Sequence, residues 1–132
     1  MTENEITTLV EKAITASQNA YAPYSNYPVG AALQTADGTI FTGCNVENAS
    51  YPVTICAERT ALVKAVSEGY RRFTAIVVVT PNGGSPCGMC RQMLYEFAPE
   101  LRVIIADTSG VVHHDLPLND LLRLGFGPSM LP

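Results

Sequence analysis

The stretch AIVVVTPNGGSPCGMC, from Ala75 to Cys90, contains the strongest structural signals of the chain. Its first six residues form a nearly continuous β-branched run, which is typical of a strand buried on both faces of a sheet. Residues 82–85 predict a loop, because asparagine, glycine and serine favour turns. Ser85 followed by Pro86 is a favourable helix start, with serine as the N-cap and proline at the first helical position. The stretch therefore predicts a buried strand, a loop and a helix that opens with two cysteines.

Outside this stretch, periodicity and turn residues predict seven further elements. A strong hairpin signal, Asp37-Gly38, joins the first two predicted strands. Residues 48–54 predict a loop, with Thr54 as the N-cap of the second helix and Gly69 as the end of that helix. The other predicted helices are residues 6–17 and 118–124, and the predicted strands are residues 29–35, 39–46, 101–106 and 111–113.

The predicted order α-β-β-α-β-α-β-β-α indicates an α/β fold with helices packed on a mixed sheet. We therefore expect a three-layer α-β-α sandwich with a central sheet of about five strands. Residues 1–132 are expected to form a single domain, because a chain of 132 residues suits one domain and can bury a core without disulfides.

The composition argues against several functional classes. Apolar residues make up 47% of the chain and charged residues 15%, as in a compact globular protein. No apolar run approaches the roughly 20 residues of a transmembrane helix, and the polar N-terminus does not resemble a targeting peptide, so we expect a cytoplasmic protein without membrane contact. A net charge of −4 with eight Lys and Arg argues against a nucleic-acid partner. A small or neutral substrate is expected instead.

Three of the four cysteines form a pattern that is typical of a metal site. Cys87 and Cys90 are three residues apart, so both sulfurs lie on one face of a helix near its first turn. Cys56 opens another predicted helix, and Glu58 follows two residues later. Structural zinc sites use four protein ligands, whereas catalytic sites usually use three plus water. We therefore predict zinc bound by Cys56, Cys87 and Cys90, with the Glu58 carboxylate serving the water in a hydrolytic reaction.

The residues around these ligands fit this prediction. Two helix N-termini aimed at one zinc place positive dipole ends beside the thiolates, which lowers the pKa values of the thiols. Zinc with three thiolates carries a net negative charge, and Arg59 is the expected group to offset it. Cys44 lies inside a predicted strand and is expected to be a small buried residue rather than a fourth ligand. His113 and His114 are expected at a surface or sheet edge.

Together with longer motifs, these residues resemble the short, homotetrameric cytidine deaminases among the zinc-dependent nucleoside and nucleobase deaminases. The signature of that group is His or Cys, one intervening residue and Glu, followed later by Pro-Cys-x-x-Cys. The resemblance covers nearly the whole chain. The motifs that carry it are Tyr21-Ala22-Pro23-Tyr24-Ser25, Val29-Gly30-Ala31-Ala32-Leu33, Gly43-Cys44-Asn45-Val46-Glu47-Asn48-Ala49-Ser50-Tyr51 and Cys56-Ala57-Glu58-Arg59-Thr60-Ala61.

The resemblance implies hydrolytic deamination of cytidine and 2′-deoxycytidine in pyrimidine salvage, with zinc as cofactor and Glu58 as the proton shuttle. It also implies a homotetramer with active sites at subunit interfaces. Six further residues match positions that contact substrate in the family. They are Asn45 and Glu47 at the ribose hydroxyl, Tyr27 where the family usually has Phe near the pyrimidine, Ala57 beside the first ligand, and Tyr51 and Phe126 in a pocket shared between subunits.

Three alternatives remain open at this point. The first is a related deaminase of another aminated heterocycle, such as blasticidin S or a guanine-type base, although the run from Asn45 to Asn48 favours a nucleoside. The second is a polynucleotide-editing deaminase, which the acidic charge balance disfavours. The third is a non-catalytic zinc module, which needs a fourth protein ligand, and Cys44 is the one remaining cysteine.

Overall fold

The computed structural model describes all 132 residues and contains one five-stranded sheet with helices on both faces. The strands are β1 (Gly30–Thr35), β2 (Ile40–Cys44), β3 (Phe73–Thr80), β4 (Arg102–Asp107) and β5 (Val112–Pro117). The helices are α1 (Glu3–Ser17), α2 (Ala57–Ser67), α3 (Gly88–Phe97) and α4 (Leu118–Leu121). The predicted α/β class and the mixed five-stranded sheet are confirmed. No helix is both long enough and apolar enough to cross a bilayer.

The strand order in the sheet is β2-β1-β3-β4-β5. β3 and β4 are parallel and the other neighbours are antiparallel. Because β3 and β4 are parallel, the chain crosses between them through α3. This crossover carries the chain from the end of β3 directly into the loop that precedes Cys87. The end of β3 is therefore the place where the sheet meets the predicted metal ligands.

The β-branched run of β3 is explained by burial on both of its faces. Ile76 and Val78 pack in a core cluster with residues of α2, α3 and β4. Val77 and Val79 pack on the opposite face against α1. All four side chains are at most 1% exposed. A strand in this position needs apolar residues at successive positions rather than at alternate ones.

Gly43 in β2 allows α2 to lie close to the sheet. A Cβ atom at this position would lie 2.6 Å from the main-chain N of Ala61 and 2.7 Å from the carbonyl O of Ala57. Any side chain here would therefore push on the backbone of α2 itself. The close approach sets the position of the first turn of α2, which contains Glu58.

Both helices that carry cysteines begin later than the sequence predicted. The N-cap of α2 is Cys56 rather than Thr54, whose hydroxyl instead accepts a hydrogen bond from the main-chain N of Asn48. The N-cap of α3 is Cys87 rather than Ser85, whose hydroxyl accepts from Arg91. Both side chains are thus used in contacts beyond their own helix start, which local sequence patterns do not reveal.

The boundaries of β2, α1 and α4 also differ from the predicted ones. β2 ends at Cys44 instead of residue 46, and Val46 makes isolated bridges to Tyr21 and Ile55. α1 begins at Glu3 because Thr2 and Glu5 form a capping box. α4 is a single turn rather than residues 118–124.

β5 is longer than predicted because it is an exposed edge strand with a polar sequence, typical of edges that avoid further pairing. His113 and His114 lie on this edge, as expected, and His113 Nε2 is 2.7 Å from Asp107 Oδ2.

Candidate active site

The three predicted ligands come together where α2 and α3 begin. Cys56 and Cys87 are the N-cap residues of the two helices, and Cys90 lies in the first turn of α3. Their sulfurs all lie within 4.8 Å of one another. The Sγ–Sγ distances are 3.8 Å from Cys56 to Cys87 and 3.5 Å from Cys87 to Cys90. Cys44 is not part of the cluster, so the fourth ligand that a closed structural site requires is not supplied by cysteine.

These distances suit a zinc ion. Tetrahedral zinc with bonds of about 2.3 Å to sulfur separates its sulfur ligands by about 3.8 Å. The donor set is also the soft thiolate set that zinc prefers. Neither Cys56 nor Cys87 caps its helix through a side-chain hydrogen bond, so both sulfurs are free to bind a metal. The residues present therefore fit the cofactor that the sequence predicted.

The electrostatics of the cluster favour a thiolate at Cys56. Hydrogen bonding from Cys90, together with Arg59, lowers the pKa of Cys56 to about 5. The Nη2 atom of Arg59 lies 3.5 Å from Cys56 Sγ and 3.4 Å from the carbonyl O of Thr54. The contact with Cys56 also raises the pKa of Arg59. Arg59 thus lies where the sequence predicted a cation to offset the charge of the thiolates.

Glu58 is almost fully buried beside these sulfurs. Its exposed fraction is 3%, and its Oε1 atom has no hydrogen-bond partner in the protein. Burial raises the pKa of Glu58 to about 7, since a low-dielectric environment disfavours the charged carboxylate. A carboxyl group whose pKa is near neutrality is suited to both accept and donate protons. An unpartnered buried carboxyl oxygen also identifies Glu58 as a group positioned for an external ligand.

A cavity of about 370 Å³ opens directly onto Glu58, Cys56 and Cys87. This volume falls within the range of small-molecule sites. Of the substrate residues that the sequence predicted, Asn45, Glu47 and Tyr27 line this cavity. Seven further lining residues had not been predicted: Ser25, Val29, Thr54, Val78, Thr80, Gly84 and Ser85.

Asn45 and Glu47 lie after β2, not within it, although they do share one cavity as expected. The Asn45 side chain accepts from the main-chain N of Val29 and donates to the carbonyl O of Tyr27, both at 2.9 Å. Glu47 Oε1 accepts from the main-chain N atoms of Tyr24 and Ser25, and its Oε2 accepts from the Ser25 hydroxyl. Hydrogen bonding from Ser25 lowers the pKa of Glu47, so its carboxylate is charged at neutral pH.

The remaining three predicted residues lie outside this cavity. Tyr51 is 69% exposed and lines a neighbouring cavity, where its ring centroid is 5.6 Å from that of Tyr24. Phe126 is 53% exposed, and only its carbonyl O is engaged, by Gln92 Nε2 at 2.9 Å. The side chain of Ala57 is fully buried in the core, so any contact with substrate would come from its main chain.

The unpredicted lining residues come from two sources. Val78 and Thr80 lie at the end of β3, where the sheet register places them beside α2 and α3. Parallel strands of α/β sheets commonly carry binding sites at their carboxyl ends, which is the signal that could have indicated Thr80. Ser25 and Gly84 lie in loops, and nothing in their local sequence indicates a cavity.

A comparison with known families agrees with this geometry. A family model described as the cytidine and deoxycytidylate deaminase zinc-binding region matches residues 3–106. The chain belongs to this family. The matched region includes the three cysteines and Glu58. The resemblance seen in the sequence is thereby confirmed, and zinc is the cofactor of the family, with a cysteine cluster in this chain that can hold it.

Individual relatives support the same assignment. The cytidine deaminase of Sporosarcina psychrophila is 53% identical over 95 residues, which is 70% of each chain. The cytidine deaminase of Halalkalibacterium halodurans is 46% identical over 121 residues, covering 89% of this chain and 91% of the relative. The crystal structure of cytidine deaminase from Burkholderia pseudomallei superposes with a TM-score of 0.87 at 49% identity, covering 96% of this chain and all of that one. The α/β fold is that of these structures.

Proposed function

We propose that this protein is a zinc-dependent hydrolase that converts cytidine and 2′-deoxycytidine to uridine and 2′-deoxyuridine and releases ammonia. The observation that carries the proposal is the buried Glu58 carboxyl, whose Oε1 has no partner, beside three sulfurs at zinc spacing. Membership of the deaminase family and close relatives named cytidine deaminase support the substrate class. We treat residues 1–132 as one domain for this activity.

Cys56, Cys87 and Cys90 would hold the zinc, and Arg59 would offset the negative charge of their thiolates. Bound zinc supplies a water molecule whose lowered pKa makes it a nucleophile at neutral pH. Glu58 takes a proton from this water and delivers it to ring nitrogen N3, which makes C4 electrophilic. The C4–O bond then forms. Glu58, now a carboxylate again, takes the proton of the new C4 hydroxyl group and transfers it to the amino group. The C4–O bond becomes a carbonyl as the C4–N bond breaks, and ammonia leaves.

The other cavity residues bind and orient the nucleoside. Glu47 and Asn45 hydrogen-bond the ribose hydroxyl, and the Tyr27 ring packs near the pyrimidine. Free cytosine lacks the ribose and cannot make these hydrogen bonds, which removes a favourable contribution to its binding. Free cytosine is therefore a poor substrate. Comparable rates on cytosine and cytidine would remove Asn45 and Glu47 from this role.

The assembly we propose is a homotetramer whose active sites lie at subunit interfaces. Large apolar side chains are exposed close to the zinc ligands along the chain, as at protein interaction surfaces. Val53 is 63% exposed and Met89 is 62% exposed, and Tyr51 and Phe126 are exposed as well. A second copy of the chain would cover these side chains, and Tyr51 and Phe126 would complete a shared pocket. A monomer at assay concentration in analytical ultracentrifugation would contradict this arrangement.

We assign the reaction to pyrimidine salvage in the cytoplasm. None of the four cysteines forms a disulfide, as is usual in a reducing compartment. Disulfides in protein isolated from cells would contradict that location.

Glu58→Gln tests the proposed mechanism. The substitution keeps the size of the side chain but removes its ability to accept and return a proton, so we expect turnover of cytidine to fall by about 10²- to 10⁴-fold. Zinc content and the folded state should be unchanged. The rate is followed by the ultraviolet change when cytidine becomes uridine, and the metal is measured on the same sample.

Glu68→Gln is the matched control, because Glu68 caps the other end of α2 and is exposed. It should retain full activity. Near-normal turnover by the Glu58 variant with zinc bound would rule the mechanism out.

A further inference from the structure

Tyr27 connects two separate walls of the cavity. Its hydroxyl donates a hydrogen bond to Asn82 Oδ1 at 2.5 Å, although 55 residues separate the two along the chain. Tyr27 belongs to the segment that leads into β1, whereas Asn82 belongs to the loop between β3 and α3. That loop continues through Gly84 and Ser85, which also line the cavity. One hydroxyl group therefore links two segments that both line the cavity.

Gly84 makes room for this hydroxyl. A Cβ atom at Gly84 would lie 2.5 Å from the Tyr27 hydroxyl oxygen, so a side chain there would require the tyrosine to shift out of its hydrogen bond. The next nearest atoms are Asn82 Oδ1 at 3.6 Å and Thr80 Oγ1 at 3.7 Å, which are ordinary contacts. Gly84 is not among the glycines with positive φ, so its backbone conformation does not require glycine. The absence of a side chain at Gly84 is therefore explained by the tyrosine hydroxyl alone.

Both ends of the contact are anchored in the protein. The carbonyl O of Tyr27 accepts from Asn45 Nδ2 at 2.9 Å, and its main-chain N donates to the Ser25 hydroxyl at 3.1 Å. On the other side, the main-chain N of Gly84 donates to Thr80 Oγ1 at 2.7 Å. The Tyr27–Asn82 bond thus joins two segments that are each already fixed to the sheet or its edge.

We infer that Asn82 and Gly84 are positioning residues that hold the Tyr27 ring in place for nucleoside binding. This inference rests on the proposed function and adds a specific determinant of affinity to it. Neither Tyr27 nor Asn82 hydrogen-bonds to the cysteines or to Glu58. The contact therefore acts on substrate binding, and the proton transfers of the reaction do not depend on it.

The first test is kinetic. Tyr27→Phe and Asn82→Ala each remove one hydrogen bond and should raise KM for cytidine by about two- to tenfold, with kcat within about twofold of the parent. Asn82→Asp keeps an acceptor oxygen and should retain the parent KM. Tyr21→Phe is the matched control, because Tyr21 is exposed and its hydroxyl makes no hydrogen bond in the protein. An unchanged KM in Tyr27→Phe would overturn the inference.

The second test is a compensation experiment. Gly84→Ala alone should lower the thermal midpoint and raise KM, because its Cβ collides with the tyrosine hydroxyl. Tyr27→Phe removes that oxygen, so Gly84→Ala in the Tyr27→Phe background should be no worse than Tyr27→Phe alone. If the two substitutions are additive, the hydroxyl is not what excludes a side chain at Gly84, and the inference fails.

The two experiments also separate this inference from the function on which it rests. The compensation in thermal stability requires no substrate and reports the contact even if cytidine is not turned over. A parent protein that deaminates no nucleoside would refute the proposed function and, with it, the assignment of the contact to nucleoside binding. A parent that deaminates cytidine while the kinetic variants behave like it would refute the inference alone.

Discussion

Gly43→Ala is the sharpest test of how the fold positions Cys56 and Glu58 at the start of α2. Gly43 lies in β2 and does not line the cavity. Its missing side chain lets the sheet approach the backbone of α2, where a Cβ would be 2.6 Å from the main-chain N of Ala61 and 2.7 Å from the carbonyl O of Ala57. Ala57 lies between Cys56 and Glu58 in the chain. β2 and α2 must therefore move apart to relieve this clash, which displaces the first turn of α2 relative to the strand.

The size of the displacement follows from these distances. Ordinary contact begins at 3.4 Å, so α2 has to move by about 0.8 Å. Overpacking of this kind costs about 1–3 kcal/mol in the free energy of unfolding. Zinc–sulfur bond lengths tolerate deviations of only about 0.2 Å. A misplacement of about 1 Å at an active site can lower the rate by about 10²-fold. We expect a moderate loss of stability but a large loss of zinc affinity and of kcat/KM.

Gly30→Ala is the matched comparison. Gly30 lies in the neighbouring strand β1 and faces α1, where a Cβ would lie 1.9 Å from the carbonyl O of Ala13. This clash is more severe, yet α1 carries none of the site residues. Gly30→Ala should therefore lose more stability than Gly43→Ala while its folded fraction keeps more zinc and more activity.

The assay measures denaturant unfolding, zinc per folded protein and kcat/KM for both variants. If loss of zinc and loss of activity simply follow loss of stability in the two proteins, the proposed link through α2 is refuted.

Two further predictions concern the metal and pH. Removal of zinc by a strong chelator should abolish deamination and lower the thermal midpoint, with both restored by added zinc; full activity in metal-free protein would contradict the zinc assignment. In the metal-free protein, the pKa of Glu58 is raised from 4.5 to about 7, so between these values the folded chain holds a proton that the unfolded chain has released. The contribution of Glu58 to the free energy of unfolding should therefore fall by about 3 kcal/mol as the pH rises from 4.5 to about 7. Cys56, whose lowered pKa makes stability rise with pH, is present in both proteins. Denaturant titrations at pH 5 and pH 8 should therefore show stability rising less with pH in the parent than in Glu58→Gln, and equal slopes would refute the assignment.

The parts of the fold that were predicted correctly depend on local sequence. The β-branched run of β3 indicates a strand wherever it is placed, because burial on both faces requires apolar residues at every position. The helix starts were predicted less well, since Ser85 and Thr54 are good N-caps locally but bond elsewhere in the folded protein. Cap preferences at single positions do not show that these hydroxyls bond Asn48 and Arg91 instead of capping a helix.

The same distinction applies to the candidate site. The cysteines and Glu58 were found because their spacing is itself chemical information about ligands and proton transfer. Thr80 and Gly84 line the cavity only because the sheet register and a loop place them there. Tyr51 and Phe126 are exposed in the single chain, and the shared pocket proposed for them would require a second copy.

The two cysteine N-caps have a consequence for the lifetime of the protein. An N-cap Ser, Thr, Asp or Asn accepts a hydrogen bond from a backbone N–H in the first turn of its helix. Neither Cys56 nor Cys87 makes such a bond through its side chain. Without metal, the starts of α2 and α3 have no side-chain cap to hold them, which favours local fraying. Frayed backbone is what proteases cleave. Cellular zinc supply would thus govern how long each copy survives as well as how fast it works.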